Sequence, residues 1–367
     1  MSETRKILEA LRNGLVSDGS VLATVVDVVG SSYRLPGAKM LVLSDGGSVG
    51  TVSGGCLEAD LLERTKAVSE SGKPATIVYD TRKETDSVFS LNMGCRGVVT
   101  ILVEPALDNP LFGLLERNIS TGAVAVVATG IGERNIGARR IVWEDDQRTT
   151  SEGEVPAEWM QFIEESFAER ASFTRETTDG AVFVEYFGAP VSLAVFGAGG
   201  DVAPLIRIAS GLGWRTMVSD HRPAFAVRER FPEADEVICR SIEEIAGGLE
   251  LPRNTHAVVM THNYEHDRTV LSALLSTDTP YIGMMGPKSR TESIIAELRE
   301  SGSEFSSETL SRIHGPVGLD IGGRDPESIA LSIVAEIQSV ASGRTGGFLR
   351  ERSGSIYGRK AEIQAAQ

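Results

Sequence analysis

Cysteine is scarce in this sequence of 367 residues, which contains only Cys56, Cys95 and Cys239. Their wide spacing gives neither the framework of a disulfide-stabilised protein nor a CxxC zinc pattern. We therefore expect three reduced thiols and no structural zinc site built from paired cysteines.

Excess positive charge is also absent, because 36 lysines and arginines face 51 aspartates and glutamates and leave a net charge of −15. Such a balance repels phosphate backbones and anionic lipid head groups at long range. No apolar run approaches the roughly 20 residues of a membrane span, and the opening residues lack the apolar core of a signal peptide. We expect a cytoplasmic protein that binds neither nucleic acid nor membrane.

The remaining composition, 41% hydrophobic and 24% charged residues, is that of a globular protein. The length suggests two domains of about 100 to 200 residues each. From residue 192 onward strands and helices alternate, which predicts a doubly wound parallel sheet. We therefore predict an α/β protein with an α+β domain over residues 1–190, a Rossmann-type domain over 191–342 and a mobile tail over 343–367.

In the first domain, runs of β-branched and apolar residues predict strands over 21–29, 38–43 and 48–52. A helix is predicted from Leu57 to near Gly72, and two more strands over 75–80 and 98–105 follow it. Residues 123–143 resemble residues 21–43, with matching Gly-Ala steps at 37 and 137. This indicates an internal duplication, and the alternative is two ordinary hairpins that share a Gly-Ala step.

The segment SGGC, residues 53–56, is the first candidate site. A cysteine at a helix N-terminus has a lowered pKa and becomes a better nucleophile or metal ligand, although Glu58 in the first helical turn opposes this effect. Ser53, Gly54 and Gly55 could form an anion-binding nest. The alternative is a small buried core cysteine.

Two nearby cations, Arg34 and Lys39, favour a functional role for Cys56. Cys95 follows Gly94 at a second predicted turn and is the natural second thiol. Cys239 lies inside a predicted strand of the second domain and is expected to be a core residue.

The segment FGAGGD, residues 196–201, follows an apolar strand and opens a helix. Gly197, Gly199 and Gly200 permit a tight turn and a close approach of backbone amides to a phosphate, although Val202 stands at the third glycine position of the usual fingerprint. Asp220 ends the next strand, where a carboxylate commonly binds ribose hydroxyls. These features together predict a nucleotide-binding loop.

Two further residues lie near this predicted nucleotide loop. Arg222 could meet a phosphate or could only form a surface salt bridge. His262 ends a strand at the ligand-binding edge of the sheet. Its spacing from His266 invites a metal site, but we favour a helix cap or a hydrogen bond to ligand, because the two histidines are not expected to share one helix face.

Several segments match a known family, and SGGC and GLDIG are the most specific of them. The matching segments are GSSYRLPGAKML (30–41), GTVSGGCLE (50–58), MGCRGVVTILVEP (93–105), FGAGGDVAPLIRIASGLGW (196–214), DHRP (220–223), MTH (260–262), YIGMMGPKSR (281–290) and HGPVGLDIGGRDPESIALSIVAEI (314–337). Through them the chain resembles the xanthine dehydrogenase accessory proteins of the XdhC/CoxI type.

The resemblance implies a cofactor chaperone more than an enzyme. Members of the family bind molybdenum cofactor, as molybdopterin or its nucleotide form, and deliver it to apo molybdenum hydroxylases such as xanthine dehydrogenase or carbon monoxide dehydrogenase. The resemblance further implies a homodimer, and a cysteine desulfurase as a second partner if the cofactor is sulfurated.

Carried over, the resemblance makes Cys56 and Cys95 candidates for holding the molybdenum or sulfur-bearing end of the cofactor. Arg34 and Lys39 become phosphate or pterin contacts. The residues around Cys56 would complete this site, namely Ser53, Gly54, Gly55 and Glu58. The glycine loop with Asp220, Arg222 and His262 would take a nucleotide or phosphate.

Two other functions stay open. An NAD(P)-dependent oxidoreductase shares the Rossmann signal, although the first domain shows no obvious proton donor for hydride transfer. A persulfide on Cys56 would instead make the protein a sulfur carrier.

Overall fold

The structure, a computed structural model, describes residues 3–55, 57–80, 82, 97–145 and 149–353. Cys56, Cys95 and the chain from residue 354 onward lie outside the described residues. The chain divides into two compact units, one reaching Gly188 and the other extending from Ala189 to Arg352.

The first half of the N-terminal unit is a five-stranded antiparallel sheet with two helices. Its elements are α1 (Glu3–Arg12), β1 (Val21–Gly30), β2 (Lys39–Val42), β3 (Ser48–Gly50), α2 (Glu58–Ser71), β4 (Ala75–Asp80) and β5 (Gly97–Pro105). The strands lie in the order β3-β2-β1-β5-β4. The central strand β1 is buried along its first six residues, as its β-branched run predicts. Helix α2 ends at Gly72 in the left-handed conformation, close to the predicted end.

The second half of this unit repeats the arrangement. Its elements are α3 (Pro110–Thr121), β6 (Ala125–Gly130), β7 (Arg139–Trp143), β8 (Thr149–Glu152), α4 (Trp159–Glu169), β9 (Phe173–Arg175) and β10 (Val182–Phe187). The antiparallel order β8-β7-β6-β10-β9 matches that of the first sheet, strand for strand. Gly37 and Gly137 have φ of 96° and 80° and each donates its amide to the preceding strand of its own half. The shared order agrees with the duplication expected from the sequence.

Two buried ion pairs connect the halves reciprocally. Lys39 of β2 in the first sheet reaches Glu185 of β10 in the second, with 2.5 Å between Nζ and Oε1. Arg139 of β7 in the second sheet reaches Glu104 of β5 in the first, with 2.6 Å between Nη2 and Oε1. Since a buried charge is costly without a partner, each pair requires both sheets to be in place.

Apolar packing joins the same two halves. One cluster combines residues of α1, β1 and β2 with residues of α3, β6 and β7, including Leu22, Leu41, Val127 and Ile141. A smaller cluster places Val26 beside Phe183. The two sheets therefore share a core, so residues 3–188 form one folding unit with two similar halves.

The C-terminal unit is a six-stranded parallel sheet with helices on both faces. Its strands are β11 (Ser192–Phe196), β12 (Arg215–Asp220), β13 (Glu236–Cys239), β14 (Thr255–Val259), β15 (Tyr281–Met284) and β16 (Ile313–His314). Its helices are α5 (Val202–Gly211), α6 (Ile242–Ala246), α7 (Tyr264–Leu275), α8 (Lys288–Glu300), α9 (Ser307–Ser311) and α10 (Pro326–Ala341). The order β13-β12-β11-β14-β15-β16 confirms the predicted Rossmann-type fold.

The faces of this sheet carry separate apolar clusters. Helices α5 and α10 cover one face, and α7 and α8 cover the other. The order of the strands reverses between β11 and β14, and in this fold ligands bind beyond the carboxyl ends of the strands at such a point.

The prediction that Cys239 is a core residue is wrong. Its side chain is exposed, because β13 is the edge strand of the sheet and Cys239 is its last residue. Among the described helices, none combines the length and the apolar character needed to cross a bilayer.

The buried pair of Lys39 and Glu185 predicts that removing one charge lowers the free energy of unfolding more than removing both. We expect Lys39→Met to lower the free energy of unfolding by about 3–5 kcal/mol, because Glu185 would keep a buried charge without its partner. The double variant Lys39→Met, Glu185→Leu should recover most of that loss. Urea unfolding followed by circular dichroism measures both.

Arg12 and Glu116 provide the control, since their 3.0 Å pair is more than half exposed on both sides. Arg12→Met should cost no more than about 1 kcal/mol. Equal losses for Lys39→Met and Arg12→Met would show that the buried pair does not hold the halves together.

Candidate functional site

The glycine segment before α2 is organised around the carboxylate of Glu58. That carboxylate accepts short hydrogen bonds from the hydroxyls of Ser53 and Thr51. It also accepts the amides of Ser53, at 2.9 Å, and Leu57, at 3.2 Å. The Glu58 side chain therefore supplies an anion to the amides at the start of its own helix.

The Ser53 hydroxyl completes this arrangement, because its oxygen accepts the amides of Gly55 and Leu57, each at 3.1 Å. In the nest expected from Ser53, Gly54 and Gly55, the Ser53 amide is therefore already bound by the Glu58 carboxylate, and the Gly55 amide by the Ser53 hydroxyl. Burial favours the neutral form of Glu58, but the hydrogen bonds from Ser53 and Thr51 outweigh it and hold the pKa of Glu58 below its usual range. The Glu58 carboxylate therefore already places a negative charge beside the amides of this segment.

A cavity of about 460 Å³ lies in the first half of the N-terminal unit. It is lined by Glu3 and Thr4 of α1 and by residues 33–39 of the loop between β1 and β2. The ring of Tyr33, which is 63% exposed, belongs to this lining and also packs on Gly54. Tyr33 thus connects the cavity with the SGG segment, residues 53–55.

The two predicted cations differ in their surroundings. The guanidinium of Arg34 pairs with the carboxylate of Glu3 at the cavity and stays 27% exposed. The ammonium of Lys39 is 6% exposed and bound by Glu185 and by the Gly37 carbonyl oxygen, 3.1 Å away. Arg34 is therefore the better placed of the two to meet a ligand.

Sequence reasoning missed Tyr33 and Thr51. Tyr33 is an aromatic residue inside the polar loop SSYRLPG, which is a usable signal for a binding surface. Thr51 stands seven residues before Glu58, and the return of that carboxylate to the loop is a tertiary feature without a local pattern. Cys56 and Cys95 lie outside the described residues, so their placement stays a prediction.

In the C-terminal unit, the glycine loop forms directly after β11. Gly197 has φ of 123°, and a Cβ at this position would collide with the Met260 carbonyl oxygen after β14. A Cβ on Gly200 would meet nothing within 4 Å. Close packing of the two strand ends requires glycine at position 197, while Gly200 faces open space.

Asp220 lies beside this loop, and its carboxylate accepts hydrogen bonds from Ala198 and Arg222. It accepts the Ala198 amide at 2.7 Å and a two-pronged contact from the Arg222 guanidinium at 2.8 and 2.9 Å. Burial opposes ionisation, but these hydrogen bonds outweigh it and lower the pKa of Asp220. The salt bridge considered for Arg222 is present, and a ribose or phosphate contact for either residue stays a prediction.

His262 follows β14 with φ of 57°, a left-handed conformation that is uncommon outside glycine. Its Nε2 lies 3.2 Å from Oδ2 of Asp201, the residue before α5, so a carboxylate stands at the N-terminus of α5. The His266 ring contacts His221 at 4.5 Å between centroids. Within the part of the chain that the structure describes, no group of three or more side chains is arranged to hold a metal ion.

The lowered pKa of Glu58 predicts a pH-dependent contribution to stability. Such a carboxylate stabilises the fold above its unfolded-state pKa of about 4.3, and the contribution is lost as the pH falls through the folded-state pKa. We expect Glu58→Gln to lower the free energy of unfolding by about 1–2 kcal/mol at neutral pH. The difference from wild type should shrink below about pH 4.

Glu63 on the same helix is the matched control, because it is exposed and pairs only with exposed Lys66 among the described contacts. Glu63→Gln should change stability by less than about 0.5 kcal/mol at every pH. Urea unfolding at a series of pH values makes the comparison, and a Glu58→Gln difference that does not vary with pH would contradict the assignment.

The glycine loop predicts a contrast between two neighbouring positions. We expect Gly197→Ala to lower the free energy of unfolding by at least about 1–3 kcal/mol, because an alanine is strained at this φ and its methyl group meets the Met260 carbonyl. Gly200→Ala should leave it unchanged within about 0.5 kcal/mol. Thermal unfolding of both variants is the measurement, and equal melting temperatures would be the contrary result.

Two family models match the chain. The model described as the XdhC and CoxI family matches residues 17–80, and the model described as the XdhC Rossmann domain matches residues 193–337.

Relatives match over most of the sequence. The chain is 30% identical over 349 residues to a Bacillus subtilis (strain 168) protein named as a probable subunit of xanthine dehydrogenase, and the match covers 92% of this chain and 97% of that protein. It is 25% identical over 339 residues to the Escherichia coli (strain K12) protein named molybdenum cofactor insertion chaperone PaoD, with 92% and 87% covered. A crystal structure described as a xanthine dehydrogenase from Bacillus halodurans matches with a TM-score of 0.76 at 30% identity, and covers 97% of this chain and 99% of that one. On these matches and on its two-part fold, the chain belongs to the XdhC family.

Proposed function

We propose that this protein binds molybdenum cofactor and delivers it to an apo molybdenum hydroxylase without catalysing a reaction of its own. Family membership supports the proposal, as does the likeness to a protein named as a molybdenum cofactor insertion chaperone. The structural observation that carries it is the cavity lined by Arg34 and Tyr33, because the Tyr33 ring also lies against Gly54 of the segment that precedes Cys56.

The chemistry of the cavity suits the anionic end of such a cofactor. A pterin dithiolene that carries phosphate or a nucleotide presents a soft, metal-bearing end and a negatively charged end. Arg34 has five N–H donors in a planar fork, and its ion pair with Glu3 uses one nitrogen. Among the described residues, Glu3 is the one side-chain partner of this guanidinium, and the other donors suit phosphate oxygens.

The soft end requires sulfur ligands. Cys56 stands between Gly55 and Leu57, directly before α2, and we propose that it holds the molybdenum or sulfur-bearing end together with Cys95. This part of the proposal rests on sequence and ligand chemistry. We assign supporting roles to Lys39, Ser53 and Glu58, because each is bound by partners within the unit.

We propose that the Rossmann-type unit holds a phosphate or nucleotide without hydride transfer. The open space at Gly200 and the Asp220, Arg222 and His262 side chains at the same sheet edge support this role. Asp201 also stands at the start of α5 and opposes a diphosphate there by like charge, which weighs against a standard dinucleotide site.

Several finer points belong to the same proposal. The proposed client is a molybdenum hydroxylase such as xanthine dehydrogenase or carbon monoxide dehydrogenase, and a cysteine desulfurase is a second partner if the cofactor is sulfurated. The protein acts as a cytoplasmic homodimer.

The first test is cofactor retention and transfer. Purified protein incubated anaerobically with molybdenum cofactor should retain it through gel filtration, as measured by the fluorescence of the oxidised pterin. Cys56→Ser replaces a polarizable thiolate by a hydroxyl that stays protonated at neutral pH. We expect this variant to fold normally but to activate an apo hydroxylase at least about 10-fold less than wild type.

Cys239→Ser is the control, since this thiol is exposed in the other unit, and it should transfer cofactor as wild type does. Activation by Cys56→Ser equal to wild type would show that Cys56 is structural. Absence of cofactor retention by wild type at micromolar concentrations would overturn the chaperone role. Steady oxidation of NADH or NADPH with a small carbonyl substrate would instead favour an oxidoreductase.

A further inference from the structure

Tyr33 has an exposed aromatic ring in the loop between β1 and β2. A single exposed aromatic side chain is common on protein surfaces and does not by itself indicate a site. Here the ring also lines the cavity that contains Arg34, and it contacts the SGG segment through Gly54. Tyr33 therefore lines the same cavity as Arg34 and has its ring against the segment that leads to Cys56.

Gly54 contacts the face of that ring. A Cβ built on Gly54 would lie 3.4 Å from Cγ of Tyr33 and 3.6 Å from both Cδ1 and Cδ2. Equal distances to the two Cδ atoms place it over the ring and not beside one edge. Position 54 has no positive φ that would require glycine, and a methyl group there would make ordinary van der Waals contact with the ring, so only a larger side chain would displace it.

The second half of the unit shows whether this loop requires an aromatic residue in order to form. At the offset of 100 residues that relates Gly37 to Gly137, Tyr33 corresponds to Glu133 and Arg34 to Arg134. The loop IGERNIGA, residues 131–138, contains no aromatic residue, yet its sheet has the same strand order. An aromatic ring is therefore not required to form this loop.

Resting on the cofactor-binding role proposed above, we propose that Tyr33 is the residue against which the pterin ring system of the cofactor stacks. Gly54 supports one face of the Tyr33 ring and leaves the exposed face for a planar heterocycle. Arg34, the next residue, lies within reach of the phosphate of the same ligand. The subsite thus selects a flat, anionic heterocycle by stacking and by charge.

The test measures the dissociation constant of molybdenum cofactor by ultrafiltration, with bound pterin oxidised and quantified by fluorescence. Stacking of a heterocyclic base on an aromatic side chain is worth about 5- to 150-fold in affinity by alanine substitution. We expect Tyr33→Ala to weaken binding within that range and Tyr33→Phe to bind within about 2-fold of wild type, because the ring is kept. Gly54→Val should weaken binding by displacing the ring.

Glu133→Ala provides the matched control at the corresponding position of the second half, and it should bind as wild type does. Melting temperatures of all variants establish that they are folded, which the exposure of Tyr33 favours. Wild-type binding with an unchanged constant in Tyr33→Ala would overturn the stacking assignment alone. Loss of binding in Tyr33→Phe equal to that in Tyr33→Ala would also overturn it, because the hydroxyl and not the ring would then be the contact. Failure of wild type to bind would overturn the proposed function together with this assignment.

Discussion

The N-terminal unit depends on a reciprocal exchange of charge between its two sheets. Lys39 of the first sheet is neutralised by Glu185 of the second, and Arg139 of the second is neutralised by Glu104 of the first. Arg139 also lies 3.8 Å from the exposed Glu152 of its own sheet, but its shorter pair crosses between the halves. Loss of a buried partner costs several kcal/mol, so each half stabilises the buried basic residue of the other. This constraint places β2, whose first residue is Lys39, and with it the loop that carries Tyr33 and Arg34.

The reciprocity has the form of a two-fold symmetric interface, in which each partner gives the other the contact that it receives. Matching strand orders in the two sheets agree with that form. The two halves differ in their loops and not in the order of their strands. The first keeps the cavity-lining aromatic residue and the SGG segment, while the second keeps Gly137 and its turn without them.

Local patterns were enough to predict the Rossmann-type unit, because strand and helix alternation sets both the pairing and the parallel direction. The order of strands in the N-terminal unit could not be read from the sequence, and the internal repeat indicated only that the two halves are alike. Its central contact, β1 with β5, joins segments that are distant in sequence. The role of Lys39 was unreadable for the same reason, since Glu185 lies 146 residues away. Cys239 was assigned to the core because an edge strand and a central strand look alike in a short apolar run.

The residue types of the candidate site could be proposed from the sequence, but the contacts that these residues make with one another could not. Glu58 reads as an ordinary acidic residue of a first helical turn, and only the fold shows that its carboxylate returns to Thr51 and Ser53. The glycine loop after β11 was readable, yet the placement of Asp201 against His262 depends on two strand ends that meet across the sheet.

The carboxylate of Glu58 has a consequence for the order of the glycine segment before α2. It accepts hydrogen bonds from the amides of Ser53 and Leu57, which lie on either side of position 56, and so holds this segment without a ligand. A segment that is already ordered loses little conformational entropy on capture. In the proposed function, such a segment would have the same geometry before the cofactor binds and after it leaves, so one molecule could serve repeated rounds of transfer.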